Sequence, residues 1–118
     1  MLSELEEEFD WLEDDTRGLT DILTSIDEYC EKVWLNRHYN RAYEIEMGEI
    51  SVIPKGDSRH GYRVIHEDIW ESAKIAAANI EEKYNDTGPW SDFEWGMING
   101  KLSALRWVLG YEWDMLDT

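Results

Sequence analysis

Residues 88–118, GPWSDFEWGMINGKLSALRWVLGYEWDMLDT, spell out a turn, a capped helix, a glycine stop and an acidic tail. Ser91 and Glu94 stand at the Ncap and N3 positions of a capping box, where each side chain satisfies a backbone N–H left unpaired by the first helical turn. Trp90 at N′ and Trp95 at N4 have the spacing of a hydrophobic staple. Further on, Trp95, Ile98, Leu102, Leu105 and Leu109 recur at helical spacing on one face, and Gly96, Gly100, Ser103 and Trp107 on another. The spacing predicts a helix over 91–109 with two packing faces. A glycine inside a helix costs roughly 1 kcal/mol relative to alanine, so two of them one turn apart point to close backbone approach. The run Ala76, Ala77, Ala78 is the expected neighbour within the chain. Gly96, Gly100, Ser103 and Trp107 are also the candidate interface of a homodimer.

Working back toward the N-terminus, Ile65, Ile69, Ala73, Ala76, Ile80 and Tyr84 lie on one stripe of a predicted helix over 66–85. Residues 54–61, PKGDSRHG, have the composition of a polar loop, and residues 50–65 are expected to hold a short extended segment or small hairpin. From Leu19, the positions Ile22, Ile26, Cys30 and Val33 begin a long helix. Its end is ambiguous, because Tyr39, Tyr43, Met47 and Ile50 keep a helical period while Tyr43, Ile45 and Met47 also alternate with Glu44 and Glu46 as a strand would. The helical reading, over 19–47 with Gly48 at C′, is preferred for residues 36–47. Ser3 and Glu6 form another capping-box pair and start a helix over 4–15. The fold class expected is therefore all-α: four principal helices around one core, in a single domain over 1–118.

The segment 88–118, together with NRHYNRAYEIEMGEI at 36–50, resembles a family of short bacterial and phage proteins that end in a GPWxDFEWGMxNGKLSALRWVLGxEWDxLDT pattern. No activity, cofactor or catalytic residue attaches to that family. The resemblance implies a helical domain of bacterial or phage origin and carries no site.

The 27 acidic residues give a net charge of −16, unevenly spread. Residues 1–31 hold twelve acids against Arg17, and 67–118 hold eleven against four bases, whereas 32–66 have six bases, four acids and all three histidines. Such acidity repels polyanions, so direct nucleic-acid binding is not expected and a basic protein partner is. A single cysteine, Cys30, permits no intrachain disulfide, and the N-terminus lacks an apolar leader; a cytoplasmic location is expected. No apolar run suggests a membrane partner.

Three constellations could carry chemistry. Arg37 and Arg41 share a helix face with His38 and could grip an anion, with Arg59, His60, Arg63 and His66 of the loop closing over it. Glu28 with Glu31, and Glu67 with Glu71, could hold Mg²⁺ if the two pairs faced one another, as in an all-helical nucleotide hydrolase. Asp57, His60 and His66 could take a transition metal. Beyond that Mg²⁺ no cofactor is expected, and neither a nucleophile elbow nor a phosphate loop is present. The preferred functional expectation is a non-enzymatic, oligomerising accessory protein that binds other proteins. The rivals are the Mg²⁺-dependent hydrolase and an acidic mimic of nucleic acid.

Overall fold

The computed structural model describes residues 16–113. Within them the chain is mostly helical, in the order α1 (Leu19–Glu46), β1 (Ser51–Ile53), β2 (Val64–His66), α2 (Glu67–Lys83) and α3 (Asp92–Val108). The expected helix over 4–15 lies outside the described residues.

α1 is the axle of the molecule, 28 residues long, or about 42 Å at 1.5 Å per residue. The chain resolves the ambiguity at 36–47 as helix. Gly48, at φ +81°, takes the left-handed position that closes a Schellman cap. Its N–H donates to Ile45 O at 3.1 Å, and Glu49 N–H donates to Glu44 O at 2.8 Å. The reversal delivers Ile50 to a buried position just ahead of β1.

Two corrections to the expected all-α, single-core architecture follow. First, the described residues contain three helices and a two-stranded sheet, and the sheet is parallel, pairing Ser51 with Val64, Val52 with Ile65 and Ile53 with His66. A small hairpin would run its strands antiparallel; here residues 54–63 carry the chain back, so that both strands point the same way. Second, there is no single core. Val33, Ile98 and Leu102 form one buried cluster, Leu35, Ala77 and Ile80 a second, and Ile50, Ile65 and Trp70 a third. The three are strung along α1, and the molecule is elongated, 63 × 28 × 26 Å with a radius of gyration of 19.4 Å, against about 13 Å for a compact chain of this size.

α2 begins without a side-chain cap, but Glu67 and Asp68 in its first turn and Lys83 in its last complement the helix dipole. Its Ala77 lies against Leu35 of α1. The Ala76, Ala77, Ala78 run therefore does not meet Gly96 and Gly100, whose Cβ positions have no other atom within 4 Å. α3 opens with the complete capping box, Glu94 N–H donating to Ser91 Oγ at 3.2 Å and Ser91 N–H to Glu94 Oε1 at 3.0 Å. It docks on the N-terminal half of α1, where Arg106 Nη2 donates to Cys30 Sγ at 3.4 Å. No helix among the described residues is long and apolar enough to cross a membrane.

Candidate functional site

Two surfaces are built by these elements. The first lies in the middle of α1, where Trp34, Arg37, His38 and Arg41 fall at i, i+3, i+4 and i+7 and share one face. The His38 ring is held between two indoles, 5.3 Å from Trp34 at 17° and 4.8 Å from Trp70 at 23°. Burial in this stack lowers the His38 pKa; Glu81 opposes the shift and Arg41 adds to it. Trp34, Arg37, His38 and Arg41 border a shallow hollow of 160 Å³.

Arg41 also lines a second hollow, of 230 Å³, with Ile50, Ile65 and Ile69 among its apolar lining and His60, His66 and Tyr62 among its polar lining. The loop between the strands shapes it. Asp57 Oδ1 accepts from Arg59 N–H at 2.9 Å and from Nε at 3.1 Å, and Oδ2 accepts from Nη2 at 2.9 Å. These bonds hold the Asp57 pKa down at about 2. The Asp57 carbonyl in turn accepts from His66 Nε2–H at 2.8 Å, and His60 lies 5.3 Å from His66 between ring centroids. A carbonyl only accepts, so Nε2 carries a proton in this contact.

The structure thus divides the expected anion cluster. Arg37, His38 and Arg41 come together, and His60 and His66 join Arg41. Arg59 is occupied by Asp57, and Arg63 lies over the Tyr62 ring at 5.7 Å beside a different hollow that Glu44 and Glu49 also line. Tyr62 carries no sequence signal because the crossover that places it is not periodic, and the period of Ile65 and Ile69 points to a packing stripe rather than to a hollow.

The candidate magnesium ligands do not converge. Glu28 pairs with Lys32 at 3.0 Å, Glu31 with Lys83 at 2.9 Å, and Glu71 with Lys74 at 2.6 Å. Glu67 Oε1 accepts from Lys55 N–H at 3.3 Å. Among the described residues no group of three or more His, Cys, Asp or Glu side chains is placed to hold a metal ion, the Asp57, His60 and His66 set included.

The second surface is the outer face of α3. Ile98 and Leu102 are buried against α1, while Phe93, Gly96, Met97, Gly100, Ala104, Trp107 and Val108 are exposed on the opposite side. At 100° per residue these seven fall in a strip about 120° wide that contains no charged side chain. Phe93 is 77 % exposed and Trp107 49 %. Trp113 extends the strip by stacking on Trp107 at 5.0 Å and 16°. Ser103, expected on the same face, sits half-buried at its edge. Phe93, Met97, Ala104 and Val108 belong to the strip and were legible from the same helical period.

No protein-family model, curated protein or solved structure matches the chain.

Proposed function

We propose that this protein is an assembly module, a homodimer formed by the outer face of α3 whose acidic surface engages a basic protein partner. The carrying observation is that α3 is apolar on both sides while, among the described residues, only one side is covered. A helix apolar all round is normally buried, and a contiguous exposed strip of this kind marks an interface.

The second copy is favoured by charge. A net charge of −16 opposes self-association, yet α3 is neutral, with Asp92 and Glu94 near its start balanced by Lys101 and Arg106 in its second half. Two α3 helices laid antiparallel about a two-fold axis bring the acidic start of each beside the basic half of the other, and their dipoles oppose. Gly96, Gly100 and Ala104, four residues apart, let the backbones approach, with Phe93, Met97 and Trp107 filling the sides. The remaining acidic surface favours encounter with a basic partner through long-range attraction.

Sedimentation velocity tests the pairing. A dimer is expected for the native chain and a monomer for Trp107→Glu. Gly100→Ala discriminates further: its new Cβ meets nothing within one chain, so the isolated helix gains about 1 kcal/mol, whereas a close-packed dimer is weakened. A native chain that sediments as a monomer at the highest concentration it tolerates overturns the proposal.

A further inference from the structure

We propose that the hollow bordered by Arg41, His60, His66 and Tyr62 binds a small phosphate ester carrying a planar ring, of the nucleoside monophosphate class. This is independent of the pairing through α3, which lies elsewhere on the molecule.

The first support is the distribution of charge. The chain carries 27 acidic residues, yet no Asp or Glu lines this hollow or the adjoining one beside Arg37. Other hollows of the surface do carry acids, Asp21 in one and Glu44 and Glu49 in another. Among the described residues neither Arg37 nor Arg41 makes an ion pair, whereas Arg59 does. The carboxylates that the structure ties electrostatically to this face, Glu81 through His38 and Tyr39 and Asp57 through His66, line neither hollow, and Asp57 is already paired with Arg59. A guanidinium with no carboxylate partner among the described residues, in a chain this acidic, is open to an external anion. Arg41 lines both hollows and Arg37, one turn away, lines the adjoining one, so an anion on Arg41 has a second forked donor on the same helix face.

The second support is shape and lining. Ile50 and Ile65 give the hollow an apolar base, while the His60 and His66 rings and the Tyr62 ring, 84 % exposed, supply flat surfaces on which a ring stacks. His66 is oriented by its bond to Asp57 O, and that loop is braced by Arg59, so the His66 ring is in place before a ligand arrives. At 230 Å³ the hollow falls below the roughly 300–1,000 Å³ that encloses a drug-sized ligand. It therefore accommodates one ring and leaves the charged group outside on Arg41.

Isothermal titration of the full chain with adenosine 5′-monophosphate, adenosine and inorganic phosphate tests this. Saturable binding of the monophosphate is expected, with adenosine and phosphate each weaker by about tenfold or more, because each keeps one half of the interaction. Arg41→Gln is expected to weaken the monophosphate by about tenfold or more, and Lys74→Gln, whose exposed ammonium pairs with Glu71 on α2 and lines neither hollow, to leave it unchanged. Arg41 is exposed, so both variants are expected to fold, and their circular dichroism melts verify it. Absence of saturable monophosphate binding overturns the proposal. So does equal binding of adenosine, or Arg41→Gln binding as well as the native chain.

Discussion

Trp90 and Trp95 lie nearly parallel, 6.3 Å between ring centroids and 18° between planes, across the capping box that starts α3. Trp90 Nε1 also donates to Asp86 Oδ1 at 3.1 Å, which ties the incoming turn to the same stack. The polar cap and the aromatic staple thus act on the same turn. Ser91→Ala removes one hydrogen bond of the cap and is expected to cost about 1 kcal/mol. Trp95→Ala removes the staple and a neighbour of the Val33, Ile98, Leu102 cluster, and is expected to cost about 3 kcal/mol. Urea denaturation of the two variants, followed by circular dichroism, checks the order.

The separation of the clusters along α1 makes their failures separable. Leu102 and Leu35 are both fully buried, but Leu102 belongs to the contact between α1 and α3 and Leu35 to that between α1 and α2. Truncation of either to alanine is expected to cost about 2–5 kcal/mol. In hydrogen exchange, Leu102→Ala should speed the amides of α3 while those of α2 stay slow, and Leu35→Ala should do the reverse. Uniform acceleration in both variants would show one cooperative core instead.

The Asp57–Arg59 clamp sets an acid limit for the crossover loop. Because the Asp57 pKa is lowered from 3.8 to about 2, the unfolded chain binds the extra proton in that interval. The clamp's contribution is therefore complete above about pH 4 and is lost as the pH falls through about 2. Both side chains are solvent-screened, so the effect is local order rather than global stability. Carboxyl chemical shifts should place the Asp57 transition near pH 2 in the native chain and return it toward 3.8 in Arg59→Ala.

His38 acts at milder acidity. Its pKa is lowered below 6.5 chiefly by burial between Trp34 and Trp70, with Arg41 adding to the shift and Glu81 opposing it. The unfolded chain accepts the proton more readily, so stability tied to the neutral ring is present above pH 6.5 and declines as the pH drops toward the folded value. Replacing His38 with Phe keeps an aromatic ring in the stack and abolishes the titration. The loss of melting temperature between pH 7 and pH 5 should accordingly be smaller in His38→Phe than in the native chain.

Local chemistry accounts for what was legible beforehand. The three described helices end within two residues of the limits drawn from periodicity and caps, because Ser91, Glu94 and Gly48 act on backbone groups only a few positions away. The helical period likewise places Trp34, Arg37, His38 and Arg41 on one face of α1. Strands of three residues, by contrast, carry too little alternation to announce a partner, and the short extended segment or small hairpin expected at 50–65 is a parallel pair because residues 54–63 return the chain before β2.

By itself, then, the amino-acid order determined where the helices run and which sides of them are apolar, since both depend on neighbours one turn apart. Tertiary structure alone decided what each apolar side meets. Ala77 found Leu35 rather than Gly100, and the outer strip of α3 was left uncovered by the described residues. It also decided that Asp57 would neutralise Arg59 and that Arg41 would stand without a carboxylate beside His60 and His66. Burial is nearly indifferent to which apolar surface supplies it, so the choice of partner depends on how distant segments fit together, and that is a property of the whole fold.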